Sequence, residues 1–184
     1  MNTIETGLPG LLLIEPRVFE DDRGYFFESY HKEKYLDAGI TQTFVQDNES
    51  KSGKGVVRGL HYQLGEFAQA KLVRVVQGSV FDVVVDLRFG SPTFGQWYGI
   101  EISEFNKRQL FIPRGFAHGF SVLSETAIFT YKCDNVYSKE AERSINPYDP
   151  KLKIDWKVKR SDAVVSVKDE KAPMFDAAEM GFKF

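Results

Sequence analysis

The stretch VFDVVVDLR, residues 80–88, says most about the fold of this chain. Its apolar and polar residues alternate with the period of two that is typical of a β-strand. One face would carry Phe81, Val83, Val85 and Leu87, and the other Asp82, Asp86 and Arg88. The preceding run KLVRVV is joined to this stretch by Gln77, Gly78 and Ser79, a short connection that predicts a hairpin of antiparallel strands.

Similar short runs rich in Val, Ile, Phe and Tyr recur on both sides, separated by Gly, Pro, Asp and Ser. This rhythm predicts an all-β sandwich or barrel.

Helix is scarce: HKEKYLDAG, residues 31–39, would form about two turns and end at Gly39, and a further turn would cover SKEAER, residues 138–143. The polar tail after Trp156 is expected to wrap around the barrel. No linker or long repeat divides the chain, so we expect a single domain over residues 1–184.

The composition excludes several classes of protein. A hydrophobic fraction of 42% with 27% charged residues is typical of a globular domain, and a net charge of −2 gives no general attraction to nucleic acid or to an anionic membrane. The N-terminal MNTIETGLPG does not resemble a signal peptide, and no apolar run is long enough to span a bilayer. Cys133 is the only cysteine, which excludes an internal disulfide. We therefore expect a cytoplasmic protein in which Cys133 is a small buried residue.

His61 lies in a segment that favours a ligand site, VVRGLHYQ, residues 56–63. Strict alternation would place Arg58 and His61 on opposite faces of a strand. A bulge at Gly59 would bring them to the same face. Taken alone, His61 could equally be a hydrogen-bonded structural histidine.

His118 lies in IPRGFAHGF, residues 112–120, where Pro and Gly predict a tight turn. The spacing P-x-G-x-x-H resembles the second half of the signature of the cupins, double-stranded β-helix barrels in which two motifs bring ligands into one pocket. The first half would supply His-x-His and then Glu, but this chain has His61, Tyr62 and Gln63, and later Lys71. Such a set has lost most of its affinity for a divalent metal. We therefore predict a barrel with no metal and no other cofactor, in which proton chemistry falls to side chains.

A set of segments that runs from Arg23 to Pro173 resembles, in order, the dTDP-4-dehydrorhamnose 3,5-epimerases. The segments are RGYFFES, FVQDNES, VVRGLHYQ, AKLVRVVQGSVFDVVVDLR, SPTFGQW, KRQLFIPRGFAHGF, YKCDNVY and VKDEKAP. An ordered set over nearly the whole chain is far more specific than any single motif. The resemblance implies an all-β, cupin-type double-stranded β-helix (jelly-roll) barrel with a few short helices. It also implies inversion of C3 and C5 of dTDP-4-dehydro-6-deoxy-D-glucose, giving dTDP-4-dehydro-L-rhamnose.

The resemblance implies a role for each matching residue. His61 would be the general base, Asp169 its carboxylate partner and Tyr131 the proton donor. Lys71 would stabilise negative charge on the C4 oxygen. The matching substrate-binding positions are Arg23, Glu28, Gln46, Asp47, Asn48, Arg58, Lys71, His118, Tyr137, Glu142 and Lys168. Tyr137 would stack on thymine. Without the resemblance, these residues would be interpreted as core aromatics, turn residues or solvated charges.

The resemblance further implies a homodimer in which the N-terminal segment completes the neighbouring site. Arg23 and Glu28 would then act in the partner's pocket. The ligand would be a dTDP-linked 4-keto-6-deoxy sugar whose product enters a cell-surface polysaccharide, and no nucleic acid or membrane partner is expected.

Three alternatives stay open at this point. Relatives that invert only C3 or only C5 keep the same base and acid. A metal-dependent cupin enzyme is disfavoured by the broken ligand set. A non-catalytic cupin that only binds a sugar nucleotide is disfavoured because both His61 and Tyr131 are present.

Overall fold

The computed structural model describes residues 1–184 as fourteen β-strands and two α-helices. The strands are β1 (Asn2–Glu5), β2 (Leu12–Glu15), β3 (Phe19–Asp21), β4 (Gly24–Phe26), β5 (Gln46–Gly53), β6 (Val56–Gln63), β7 (Lys71–Gln77), β8 (Ser79–Asp86), β9 (Trp97–Ser103), β10 (Gln109–Ile112), β11 (Phe116–Val122), β12 (Thr126–Cys133), β13 (Glu142–Ser144) and β14 (Val164–Val165). The helices are α1 (Lys32–Asp37) and α2 (Val167–Glu170), with 3-10 turns at Gly65–Phe67, Arg160–Asp162 and Phe175–Ala177. The predicted all-β class is confirmed.

Most of the strands belong to two sheets. The first has the order β1-β2-β10-β7-β12-β5, and the second has β13-β6-β11-β8-β9 with β14 added in parallel beside β6. The strands β3 and β4 pair only with each other. Inward-facing side chains of the two sheets meet in one apolar cluster, which includes Val73 and Phe129 of the first sheet and Val84 and Phe120 of the second. Two antiparallel sheets around a common core form the jelly-roll barrel that the sequence predicts.

The connection between β7 and β8 differs from the predicted hairpin. The two strands lie in different sheets, so the hairpin prediction is wrong. Gly78, with a φ of +77°, marks the corner at which the chain passes from one sheet to the other. A Cβ at this position would lie 2.1 Å from the carbonyl oxygen of Thr126. A short connection that contains glycine has the same sequence pattern in a hairpin as at a corner between two sheets, which explains the error.

Both faces of β8 are buried, although its sequence alternates. Phe81 and Val83 point away from the barrel interior and pack beneath the C-terminal segment, against Trp156 and Phe175. The tail therefore wraps the outer face of the second sheet, as expected. Asp82 is fully buried on the opposite, inward face of β8. The polar face of this strand thus points into the barrel, where a carboxylate requires partners.

The helix α1 covers the outer face of the first sheet. Tyr35 is buried there, and its hydroxyl donates to Gln109 Oε1 at 2.8 Å. The helix ends as predicted, with Gly39 at a φ of +88°. The turn predicted within residues 138–143 is present immediately before β13, and Cys133 is buried as expected. None of the helices combines the length and the apolar composition needed to cross a membrane.

Candidate active site

A bulge in β6 turns Arg58 and His61 to the same side of the second sheet. Between two successive pairs with β11, β6 contains one residue more than its partner strand. Gly59 lies in this extra stretch with a φ of +132°, and a Cβ on it would lie 2.6 Å from Gly119 Cα. Glycine at both positions allows the two backbones to approach closely. Arg58 and His61 line one cavity, which confirms the predicted effect of Gly59.

This cavity has a volume of about 230 Å³ and lies between the two sheets. The predicted site residues that line it are Asn48, Lys71 and Tyr131 from the first sheet and Arg58, His61 and His118 from the second. Because the sheets face each other, His61 and Tyr131 approach the cavity from opposite walls. The fold therefore brings together residues that are distant in sequence.

His61 is hydrogen-bonded to Asp169, which α2 presents from the C-terminal segment. Nε2 of His61 lies 2.7 Å from Oδ1 of Asp169, and Ser166 caps the helix by accepting from the Asp169 N–H. Burial raises the pKa of Asp169, but the hydrogen bond and charge of His61, with a smaller contribution from the Gly59 N–H, bring this pKa below its usual value. An ionised carboxylate can only accept. Nε2 therefore carries the hydrogen, which leaves Nδ1 to take up a proton.

Tyr131 is positioned on β12 with its side chain in the cavity. Burial raises the pKa of Tyr131, Cys133 and Glu142 raise it further, and Arg58 opposes them. The phenol is therefore protonated at neutral pH, which is the state that a proton donor needs. Nζ of Lys71 lies 5.5 Å from the centroid of this ring.

Lys71 and Arg58 give the cavity positive charge. Arg58 donates from Nε to Ser52 Oγ at 3.0 Å, which leaves its terminal nitrogens for a ligand. Burial lowers the pKa of Lys71 below its usual value, while Cys133, Asp82 and other acidic neighbours oppose this change. Two cations in so small a cavity favour an anionic ligand.

A chain of hydrogen bonds joins several predicted residues at the rim. The Tyr137 hydroxyl donates to Glu142 Oε2 at 3.2 Å, and Lys168 Nζ donates to the same oxygen at 2.5 Å. The Tyr137 N–H donates to Gln46 Oε1 at 3.0 Å, and Gln46 Nε2 donates to Asn48 Oδ1 at 3.1 Å. Because Asn48 lines the cavity, this chain connects it to the exposed ring of Tyr137.

Other residues of the predicted set lie away from the cavity. Arg23 is exposed in the turn between β3 and β4, and Glu28 precedes α1, where it pairs with Lys34. Asp47 points to the outer face of the first sheet and accepts from Lys132 Nζ at 2.9 Å. The alternation of β5 that turns Asn48 inwards turns the side chain of Asp47 outwards. Within one chain, the side chains of Arg23, Glu28 and Asp47 do not join the cavity.

Asp82 belongs to this centre, although the sequence did not single it out. It is fully buried and lies 2.9 Å from Nε2 of His118. Burial raises the pKa of Asp82 above its usual value, although His118 and Lys71 oppose this change. The available signal was an acidic residue in a largely apolar strand, which is tolerated inside a protein only beside a partner.

The donor set of the cavity does not resemble a metal centre. No group of three or more His, Cys, Asp or Glu side chains is arranged to hold a metal ion. His61 and His118 share the cavity with Lys71 and Arg58, whose positive charges oppose the binding of a cation. This set is suited to proton transfer beside an anion.

Comparison with known proteins finds relatives over nearly the whole chain. Residues 5–177 match the family model described as dTDP-4-dehydrorhamnose 3,5-epimerase. The Shigella flexneri dTDP-4-dehydrorhamnose 3,5-epimerase is 53% identical over 97% of this chain and 98% of that protein. The crystal structure of the Elizabethkingia anophelis dTDP-4-dehydrorhamnose 3,5-epimerase has a TM-score of 0.92 at 55% identity, covering 96% of this chain and 97% of the other. That of the Legionella pneumophila dTDP-6-deoxy-D-glucose-3,5-epimerase, in complex with dTDP-4-keto-L-rhamnose, has a TM-score of 0.95 at 49% identity, covering 100% and 98%.

Proposed function

The chain belongs to the dTDP-4-dehydrorhamnose 3,5-epimerase family, and from that membership we propose how its own residues carry out the reaction. The substrate is dTDP-4-dehydro-6-deoxy-D-glucose, in which the C3 and C5 hydrogens flank the C4 ketone. The ketone acidifies both hydrogens, because the charge left on removal of a proton is shared with its oxygen. Removal of each hydrogen from one face and return of a proton to the other gives dTDP-4-dehydro-L-rhamnose.

The observation that carries this proposal is the placement of His61 and Tyr131 on opposite walls of one cavity. Inversion requires a base on one side of the carbanion and an acid on the other. Asp169 engages Nε2 of His61, so Nδ1 is the base, and the carboxylate stabilises the imidazolium that forms. Tyr131 then delivers its phenolic proton to the opposite face.

Lys71 stabilises the enolate oxygen that develops at C4. Its ammonium lies beside Tyr131, in the cavity between the two sheets, where it is half-buried. A cation placed where charge develops acts more strongly there than it would in water. Lys71 therefore supplies positive charge that a bound metal ion would supply in a metal-dependent cupin.

The nucleotide would extend from the cavity to its rim. Arg58 offers the fork of donors that suits a phosphate, and His118 provides a further polar contact. Tyr137 presents an exposed ring for stacking on thymine. Gln46, Asn48, Glu142 and Lys168 adjoin this ring through hydrogen bonds. Asp47 would take part through its main chain, because its side chain faces outwards.

We place Arg23 and Glu28 in the site of a second copy of the chain. The hairpin of β3 and β4 pairs with no other strand and exposes Phe19, Tyr25 and Phe26. Exposed aromatic side chains on an otherwise unpaired hairpin are typical of a surface that is buried in an assembly. Arg23 lies at the turn of this hairpin, where it can reach the cavity of a partner. The active form is therefore a homodimer.

The test is deuterium exchange in heavy water, without added metal, using dTDP-4-dehydro-6-deoxy-D-glucose. NMR reports proton removal at C3 and C5 separately. We expect exchange at both carbons with formation of the L-rhamno product, and a loss of roughly 10²–10⁴-fold in rate for His61→Asn, the usual contribution of a general base. Binding of dTDP to His61→Asn, measured by calorimetry, is the control for an intact site.

Each other outcome assigns the chain differently. Exchange at one carbon alone makes it a single-centre epimerase of the same family. Exchange at neither carbon, with tight binding of dTDP, makes it a sugar-nucleotide-binding protein and contradicts the proposal. Loss of exchange after dialysis against a chelator would show that the chain is a metal-dependent cupin enzyme.

A further inference from the structure

The cavity contains a second pair of a histidine and a carboxylate, His118 and Asp82. Nε2 of His118 lies 2.9 Å from Asp82 Oδ2 and 3.2 Å from Oδ1. Asp82 is 0% exposed and His118 is 7% exposed. The reaction described above gives Asp82 no step. Because burial of a carboxylate is unfavourable unless nearby positive charge compensates it, its presence beneath the cavity requires a reason.

Lys71 is the other charged group that Asp82 influences. Lys71 is half-buried, and burial lowers its pKa, while Cys133, Asp82 and Glu142 oppose this change. Burial keeps the pKa of Asp82 above its usual value, and His118 and Lys71 partly offset this effect. The remaining titratable groups that line the cavity around Lys71 are Glu49 of β5, Arg58 and His61 of β6, and Tyr131 of β12.

We infer that Asp82 is a positioning residue of the active site, which orients His118 and sets an acidic side chain next to the cavity that holds Lys71. Because Nε2 is engaged by Asp82, Nδ1 is the ring nitrogen of His118 that is left for a ligand. An acidic group at position 82 also opposes the lowering of the Lys71 pKa that burial causes. This inference rests on the proposed function, because it assumes that His118 and Lys71 contact the anionic substrate.

The same strand offers a matched control. Asp86 lies on the same face of β8 as Asp82 and is also fully buried. It accepts from Arg88 at 2.7 Å and from the hydroxyls of Ser91 and Thr93, and it does not line the cavity. A carboxylate with a purely structural role should behave like Asp86.

The direct test is the titration of Lys71 in protein labelled with [ε-13C]lysine, with its signal assigned by comparison with Lys71→Arg. We expect the midpoint to fall by about one pH unit in Asp82→Asn, since a nearby negative charge has been removed. Asp82→Glu should restore most of the midpoint, and Asp86→Asn should leave it near the wild-type value. An unchanged midpoint in folded Asp82→Asn would overturn the inference.

The kinetic test is the pH profile of kcat/KM. In Asp82→Asn, we expect kcat/KM at neutral pH to fall about tenfold or more, which is the usual loss when the carboxylate partner of a metal-binding histidine is removed. We also expect the alkaline limb of the profile to move to lower pH. Asp86→Asn should lower the melting temperature without moving that limb. If wild-type protein shows no exchange at either carbon, the proposed function fails, and the Lys71 titration still decides the inference.

A second measurement applies if Asp82→Asn does not fold. In wild-type protein labelled with 15N-histidine, His118 should carry hydrogen on Nε2 at neutral pH, because the Asp82 side chain beside it accepts that hydrogen. A neutral His118 with its hydrogen on Nδ1 would contradict the inference without any substitution at Asp82.

Discussion

Asp169 is held in its charged form by the histidine that it orients. Since its pKa in the folded chain is lowered, the carboxylate adds stability that is present above its unfolded pKa of about 3.9 and is lost as the pH falls through the folded value. We therefore expect Asp169→Asn to be less stable than wild type at pH 7, with the difference shrinking in acid. Urea unfolding of both proteins at about pH 7 and pH 3 measures this change. A difference that is equal at both pH values would show that Asp169 contributes by packing alone.

Tyr131 allows the two halves of the reaction to be separated. Tyr131→Phe removes the donor on one face but leaves His61 and Asp169 on the other. His61 can then remove a proton and return it to the same face, so we expect deuterium exchange to continue while formation of the inverted product falls by roughly 10²-fold. NMR in heavy water follows both events in one sample. Equal loss of exchange and inversion would mean that Tyr131 also assists proton removal.

Residues of this site differ in how far the sequence could reveal them. Gly59 between Arg58 and His61 is a local signal, because a glycine inside a strand pattern indicates a bulge. The signal at Asp82, an acidic residue in a largely apolar strand, does not identify its partner, because His118 lies on β11, far away in the sequence. The outward direction of Asp47 follows from strand alternation, but only once β5 is recognised as a strand, and QDNES alone resembles a loop.

At the scale of elements, the contact between β6 and β11 decides the geometry of the base. A Cβ on Gly119 would lie 2.6 Å from the carbonyl oxygen of Arg58 and 3.1 Å from the indole of Trp156. We expect Gly119→Ala to lower the free energy of unfolding by about 1–3 kcal/mol, the usual range for overpacking. Activity should fall as well, because the displaced strand carries Arg58 and His61. Unfolding in urea and the exchange assay measure the two effects.

Gly181 provides the control for this substitution. It has no atom within 4 Å of an added Cβ and lies exposed in the C-terminal segment. Gly181→Ala should therefore change neither stability nor activity. If Gly119→Ala behaves in the same way, β6 and β11 are able to separate without cost, and the close approach of the two glycines does not fix the site.

Elements whose boundaries depend on local signals were predicted correctly, and those that depend on pairing were not. The helix α1 stops just before Gly39, which supplies the left-handed backbone that commonly follows a helix. The hairpin prediction at Gly78 was wrong, because a glycine indicates a local turn but does not indicate which strand the following strand pairs with. The tail after Trp156 could be expected to wrap the barrel, but the sequence alone does not show that α2 turns Asp169 towards His61.

At the scale of the whole molecule, the barrel places the base, the acid and the cations in one cavity, while the hairpin of β3 and β4 leaves Arg23 outside it. If the hairpin completes a partner's cavity, chains with different defects should complement each other. A dimer of one Arg23→Ala chain and one His61→Asn chain has one cavity with an intact His61 that is completed by an intact Arg23. Either variant alone has no complete site.

We therefore expect activity to return when Arg23→Ala and His61→Asn chains are refolded together, to about a quarter of the wild-type value, because half of randomly formed dimers are mixed and each has one working site. Differently tagged chains allow the mixed dimer to be isolated and assayed. His61→Asn mixed with Asp169→Asn is the matched control, since His61 and Asp169 meet within one chain and no mixed site is complete. No recovery in the test pair would place Arg23 in the cavity of its own chain, and recovery in the control would show that mixing restores activity without a completed site.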